Sequence, residues 1–285
     1  MLRLKQSICL LLIISTVSIA EKSNGQDLSQ TLELANLQYE KANYDQAISY
    51  YQRILFFEKQ DYNSLIHQRL GNCFFNTGDY EKAAESYDIA WYIEKNDSIK
   101  NELSFQKIAS LLLQNKYRFA LIEILNFDDG LSLYFQKRKD FYSGIVYFGL
   151  EDFELSKYHF SSVLSEPSLE SELELLFNKN QKLEKLSPKK ARILSMIIPG
   201  MGQFYSGDIK NGINSLLLTG LFAYLYINTA INFSVLEGYL IVFPWLQRYY
   251  TGGFKRAGLN TAIIKANKRA VIYQEIISII EKSDK

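Results

Sequence analysis

Up to Leu186 the apolar and polar positions follow the spacing of soluble amphipathic helices, and from Ser187 onward the pattern changes character. From Gly212 to Ile231 there are 20 consecutive residues without Asp, Glu, Lys or Arg, about what a bilayer core of roughly 30 Å demands. This run predicts a transmembrane helix, with a buried helix of a soluble protein as the alternative. Ser215, Thr219 and Ala223 fall four apart, a stripe of small side chains that lets another helix approach closely. A second apolar run, Phe233 to Tyr250, follows almost without a loop. The pair therefore predicts an antiparallel hairpin turning near Asn232, with Pro244 kinking its second arm. The charges of that arm, Glu237 and Arg248, lie near its ends, and Trp245, Tyr249 and Tyr250 suit a headgroup belt.

The two regimes meet in Ser187 to Gly212, SPKKARILSMIIPGMGQFYSGDIKNG. A basic cluster (Lys189, Lys190, Arg192) leads into the apolar Ile193 to Ile198. Pro199, Gly200 and Gly202 then crowd into four residues, so a helix should break near Pro199. Gly207-Asp208 reads as a turn in which Asp208 caps the next helix. Beyond the hairpin, Gly252-Gly253 predicts a turn toward the interface. Lys255 to Glu281 reads as a basic amphipathic helix, with Ile263, Ile264, Val271, Ile272, Ile276, Ile279 and Ile280 set against Lys255, Lys265, Lys268 and Arg269. Such a helix suits anionic lipid or the flank of the hairpin.

The first half is repetitive. Its clearest unit is Leu70-Gly71-Asn72-Cys73-Phe74-Phe75-Asn76-Thr77-Gly78-Asp79-Tyr80-Glu81-Lys82-Ala83, continuing to Tyr87 and Ala90. It resembles a tetratricopeptide repeat in its Leu-Gly pair, aromatic, Gly-Asp-Tyr turn, Ala, aromatic and Ala, taken in order. An earlier copy has Leu34-Ala35, Tyr39, Asn43-Tyr44, Ala47, Tyr51 and Ile54, with Ala42 where the turn glycine stands. A third centres on Tyr117 and Ala120, and a fourth has Gly144, Tyr147, Phe153, Ser156, Phe160 and Val163. Taking Ala47, Ala83, Ala120 and Ser156 as equivalent gives spacings of 36, 37 and 36, slightly more than the family's 34. A small residue belongs there because the two helices of a repeat cross at that point. The resemblance implies a superhelix over residues 27–167 with a concave groove for a peptide or a partner's helix, lined by the first helix of each repeat. It thereby nominates Gln38, Asn72 and Asn76 as partner contacts. Residues 168–186 read as a closing helix over the last repeat.

The membrane half has its own resemblance. Pro199, Gly200, Gly202, Gln203, Tyr205 and Gly207, with Gly212 at the helix start, resemble a bacterial family of unknown function that carries Pro-Gly-x-Gly-Gln-x-Tyr-x-Gly before paired membrane helices. The stretch is also distantly similar to the two-transmembrane-helix domain. These resemblances imply an architecture, a membrane domain over residues 187–254 with a basic tail over 255–285, and no reaction. The predicted fold class is all-α: a TPR-like helical superhelix followed by a transmembrane helical hairpin and an amphipathic C-terminal helix.

Composition narrows the function. Residues 1–20 read as an export signal, with an uncleaved anchor as the alternative: Arg3 and Lys5, the apolar Ile8 to Val17, and small Ser18 and Ala20 before an expected cleavage site. Cys9 leaves with it, so Cys73 is alone and no disulfide framework is available. A formal net charge of +1, from 32 Lys and Arg against 31 Asp and Glu, gives no sign of a nucleic-acid partner. His67 and His159 lack metal-ligand spacing, there is no Gly-x-Ser-x-Gly elbow, and no phosphate loop follows Gly202. Ser187-Pro188-Lys189-Lys190 matches Ser-x-x-Lys without its companion motifs, and Asp128-Asp129-Gly130 is a turn rather than a calcium loop.

The sequence thus predicts a non-enzymatic, membrane-anchored scaffold at the bacterial cell envelope that needs no cofactor, metal or small-molecule substrate. Its partners are another protein in the groove and the lipid bilayer of the inner membrane, with the repeats on the extracytoplasmic side. The competing reading is a small channel, transporter subunit or membrane-insertion helper with regulatory repeats. The favoured expectation is three membrane passes, with Ala191 to Tyr205 dipping in or crossing and the basic tail inside; two follow if that stretch stays on the surface.

Overall fold

Helices end where the backbone can turn left-handed, and in the first half of this chain they do so periodically. Ala42, Gly78, Asn115 and Glu151 all have positive φ, at 57°, 85°, 57° and 63°, spaced 36, 37 and 36 residues apart like the small residues Ala47, Ala83, Ala120 and Ser156. At each turn the left-handed residue donates its N–H three residues back and its successor donates five back, as in Asp79 to Phe74 at 2.9 Å and Asp152 to Tyr147 at 2.9 Å. Carbonyls that would be orphaned at the helix end are thereby satisfied. Only one of the four turns uses the glycine that the conformation favours.

The computed structural model describes residues 28–57, 64–128 and 130–283; the export signal expected over residues 1–20 lies outside the described residues. Every regular element among them is helical. The first half is built from α1 (Leu28–Glu40), α2 (Tyr44–Phe57), α3 (Ser64–Thr77), α4 (Tyr80–Ile93), α5 (Asp97–Leu113), α6 (Tyr117–Leu125), α7 (Leu133–Gly149) and α8 (Phe153–Val163). The second half follows as α9 (Pro167–Glu184), α10 (Pro188–Ile197), α11 (Met201–Ser206), α12 (Ile209–Asn232) and α13 (Val235–Glu237). A π-helical turn over Gly238–Val242 then leads into α14 (Phe243–Ser283). The chain divides into two compact units between Ser156 and Lys157, inside α8.

In the first unit the four small residues of the helix crossings, Ala47, Ala83, Ala120 and Ser156, are all fully buried. Tyr51 and Tyr87 fill the space beside the first two of them, inside a core with Ala35, Ile54, Leu70, Cys73 and Phe74. The fit is close. A Cβ on Gly71 would stand 2.7 Å from the Tyr87 ring, and one on Gly149 would stand 2.3 Å from the Tyr117 ring. Further along, Phe105 stacks on Phe127 with ring centroids 4.6 Å apart and on Tyr142 at 5.5 Å, a separate aromatic core with Ile108, Ala120 and Val146.

In the second unit α14 is the spine. The α10 helix runs antiparallel to it: the Tyr250 hydroxyl donates to Met196 O at 2.7 Å, and a Cβ on Gly258 would lie 3.3 Å from Pro188 O. The end of α9 is held to the same helix by Glu184, which accepts from Lys265 Nζ at 3.0 Å and from Arg269. Two expectations change here. No turn forms at Gly252-Gly253, because α14 continues without interruption from Phe243 to Ser283. Gly253 is small because α12 passes there: a Cβ would come within 2.6 Å of Ser215 Oγ. Nor is the apolar face of the tail wholly free for lipid, although Ile263 and Val271 stay more than half exposed. Ile272, Ile276, Ile279 and Ile280 are buried, with Ile279 beside Leu175 and Leu176 of α9.

Candidate functional site

The glycine-rich stretch folds into a wedge at the foot of the hairpin, and its motif residues are accounted for by close contact or by backbone conformation. Ser187 caps α10 by accepting from Lys190 N, with Pro188 in the first turn where its missing N–H costs nothing. The helix ends at Ile198. Gly200 then turns left-handed at φ 88°, and α11 heads back. A Cβ on Gly200 would lie 2.3 Å from Gly212 O, and one on Gly202 would lie 1.8 Å from Ala191 O. A Cβ on Gly212 would lie 2.7 Å from the Phe204 ring. Backbone passes backbone at two of these three places, which only glycine permits. Pro199 provides the stop.

Gln203 is the hub. It is 2% exposed; its Oε1 accepts from Ser195 Oγ at 2.8 Å, and its Nε2 donates to Gly253 O at 3.0 Å. Ser195 Oγ in turn accepts from Gly202 N at 2.8 Å. One side chain thus ties α10, α11 and α14 together, with every polar end satisfied as burial requires. Tyr205 performs the outer closure: its hydroxyl donates to Lys185 O at 2.7 Å and accepts from Ser187 N at 3.2 Å, while Lys190 lies over its ring. Gly207 repeats the left-handed stop at φ 82°, and Asp208 caps α12 by accepting from Asn211 N. Asn260 of α14 also donates to Asp208, at 2.9 Å. Although its partial burial pulls the other way, the hydrogen bonds from Asn211 and Asn260 hold the Asp208 carboxyl below its usual range. The motif is a structural joint.

Above the joint, α12 and the second arm form the expected hairpin. Ser215 and Thr219 of the small-residue stripe face inward, Thr219 at 6% exposed. Phe222 stacks on Tyr249 at 5.0 Å, and Tyr226 meets Phe243 at 6.1 Å. The π-helical turn over Gly238–Val242 precedes Pro244, whose missing N–H would leave an α-helical ladder incomplete there. Of the described helices, α12 alone is long and apolar enough to cross a membrane, and its apolar window is only 6% buried.

The repeat residues are placed less uniformly. Asn72 is committed inside the fold, its Nδ2 donating to the Tyr39 hydroxyl at 3.0 Å and its Oδ1 accepting from the Tyr87 hydroxyl at 2.8 Å. Asn76 is exposed and donates to Asn72 O at 2.8 Å, and Gln38 accepts from Asn43 Nδ2 at 2.8 Å. Sequence reasoning missed Asn36, which stands 36 residues before Asn72 and accepts from the Tyr51 hydroxyl at 2.8 Å and from Arg69. The signal was available: Asn36–Tyr51 and Asn72–Tyr87 share the same 15-residue separation. Burial pushes the Tyr87 hydroxyl upward, pushes the Cys73 thiol up to about 12, and raises Tyr51 against the opposing pull of Arg69.

These helix pairs, with a small residue at the crossing and a left-handed turn between the arms, define an all-α helical-repeat protein. A family model described as the tetratricopeptide repeat matches residues 32–55, covering parts of α1 and α2. None of the curated proteins searched matches the chain.

Proposed function

We propose that the protein is a membrane-anchored scaffold of the bacterial cell envelope whose exported helical repeats hold another protein. The tetratricopeptide match supports a protein-binding role, with the half-buried Gln38 and the exposed Asn76 as candidate contacts on the first helices of the repeats. The observation that carries the anchoring is the uncharged surface of the hairpin. Leu217, Tyr224, Ile227 and Ile231 on α12, and Leu240 and Ile241 on the second arm, are each more than half exposed, an area soluble proteins do not leave bare.

Charge supports the same reading. Lys189, Lys190, Arg192, Lys210, Arg248, Lys255 and Arg256 gather about the open end of the hairpin, and none makes an ion pair among the described residues. Arg192 lies over the Phe254 ring and Arg248 over the Trp245 ring. Cations of this kind suit anionic headgroups, each worth about 1 kcal/mol near the surface. This anchor has two passes rather than three, α12 and the shorter apolar run from Val235 to Tyr250 that packs on it. The α10 helix has ten residues and α11 six, so neither reaches across a core of roughly 30 Å, and Glu184 already joins α9 to the far half of α14. The repeats and the C-terminal helix then share one side of the membrane; export of the repeats makes it the extracytoplasmic side, against the preference of the basic cluster for the cytoplasm.

Two measurements test this. Washed membranes should retain the full-length protein through high salt and alkali and release it into detergent; recovery in the aqueous fraction refutes the anchor. Single cysteines at Lys185 and Ser283 should react with an impermeant maleimide from one side and a cysteine at Asn232 from the other. Protection of only one of the first two would require an odd number of passes. Cross-linking of the intact protein in its membrane should capture an envelope protein, and a Gln38→Ala/Asn76→Ala variant should capture less of it.

A further inference from the structure

The first unit carries a concavity of its own. It is a cleft of about 620 Å³ between α4 and α6, floored by α5 and closed at one end by the turn that follows α6. That volume is within the usual range of ligand sites, and its lining mixes aromatic walls, Trp91 and Phe127, with the convergent amides of Asn101 and Asn126. Its charge is lopsided. Carboxylates of Asp88, Asp97, Glu123 and Asp128 face two ammonium groups, Lys100 and Lys107. Lys107 is already spent: it bridges Asp88 at 2.5 Å and Glu123 at 3.0 Å, tying α4 to α6 across the floor. Asp97 and Asp128 are exposed and make no ion pair among the described residues.

Trp91 shows what such a place receives. The ring is 42% exposed and so open to an incoming group. The Lys100 ammonium sits 4.9 Å from its centroid. An internal lysine therefore already occupies the aromatic face in the way an incoming cation would. We infer that this cleft is a docking site for a lysine- or arginine-bearing segment of a partner protein, with Trp91 as the receiving ring and Asp97 and Asp128 as counter-ions. Lys100 holds the seat in the free protein and yields it on binding. The inference rests on the protein-binding reading above and adds the chemistry of the partner.

The test uses full-length protein in mild detergent at low ionic strength. Because the chain has two tryptophans, a Trp245→Phe background leaves Trp91 as the sole reporter. The probe is a blocked decapeptide of alternating Lys and Ala, with Glu-Ala and Ser-Ala versions as controls. Only the lysine peptide should shift Trp91 emission saturably. Asp97→Asn/Asp128→Asn should weaken that binding about tenfold, two favourable charges being removed. Lys100→Ala should tighten it about two- to five-fold, because an internal competitor for the ring is gone. A lysine peptide that leaves Trp91 unchanged, equal binding by the double Asn variant, or unchanged or weaker binding by Lys100→Ala overturns the inference. The two readings fail differently. If the cross-linked envelope partner is captured equally by wild type and the double Asn variant, the cleft is wrong and the scaffold stands; if the peptide seats but no partner is ever captured, the reverse holds.

Discussion

Four glycines separate two physical reasons for having no side chain, and they allow a quantitative test of the wedge. Gly220 sits in α12 with nothing within 4 Å of an added Cβ; Gly207 is equally open but left-handed, at φ 82°. Gly202 is helical, yet a Cβ would lie 1.8 Å from Ala191 O; Gly200 combines a φ of 88° with an approach of 2.3 Å to Gly212 O. Alanine at Gly220 should stabilise by up to about 1 kcal/mol, because a helical glycine loses more backbone freedom on folding. At Gly207 it should cost about 1 kcal/mol, the left-handed penalty less some gain from a stiffer unfolded chain.

Gly202→Ala is the decisive member. Two backbones must separate by more than an ångström, and the Ser195–Gln203 hydrogen bonds lie in the path of that shift, so a loss of about 3 kcal/mol or more follows. Gly200→Ala adds the left-handed term, for about 4 kcal/mol. The assay is thermal unfolding of full-length protein in one detergent, where about 1 kcal/mol moves Tm by about 2–4 °C for a unit of this size. Gly202→Ala should therefore melt at least about 6 °C below wild type, and Gly220→Ala at or above it. If Gly202→Ala melts within 2 °C of Gly220→Ala, α10 and α11 do not cross at this distance and the account of the motif as a joint is wrong.

Other outcomes follow from single groups. Asn180 in α9 is fully buried with neither amide atom bonded to protein among the described residues, so Asn180→Leu should raise stability by about 1–3 kcal/mol in the same melting assay. Asn72→Ala strands the Tyr39 and Tyr87 hydroxyls and should cost about 1–3 kcal/mol, whereas Asn76→Ala on the exposed face should stay within about 0.5 kcal/mol. Urea midpoints measured from pH 8 to 11 should fall above about pH 9. Cys73, Tyr51 and Tyr87 have folded-state pKa values raised above their unfolded ones by burial, Cys73 to about 12, so their contribution is complete below the unfolded values and is lost as pH rises. Cys73→Ser should remove the earliest part of that decline, and an unchanged profile would refute the assignment.

What could be read before the fold was known depended on how local the cause is. The Pro199 break, the Asp208 cap and the small residues at positions 47, 83, 120 and 156 act over one or two turns, and each stands where the spacing placed it. Gly252-Gly253 was misread because the cause lies 38 residues away: Ser215, not a change of direction, keeps Gly253 small. The tail was read only in part for the same reason. Its isoleucine face signals a partner without naming it, and α9 supplies over Ile279 the cover that lipid or the hairpin was expected to give. Asn72 looked like a groove residue because polar residues on a first helix usually face solvent, yet the hydroxyls of Tyr39 and Tyr87 meet it inside the repeat.

The repeats show how a fold persists after its signature fades. A sequence model finds the tetratricopeptide pattern over residues 32–55, while the left-handed turn and the buried small residue recur four times. At the turn the four residues are Ala, Gly, Asn and Glu. Alanine and glutamate there carry a cost of about 1 kcal/mol each that glycine would avoid. What tolerates it is the pair of hydrogen bonds that closes every one of these turns and the tight crossing five residues later, both of which depend on backbone path rather than side-chain identity. A conformation enforced from both sides can accept an unfavourable residue. Spacing is harder to change, since inserting one residue between turn and crossing would rotate the second helix by about 100° and present Tyr51 or Tyr87 to water. The interval therefore recurs where the residues do not, and the fourth repeat keeps Glu151 at its turn and Ser156 at its crossing.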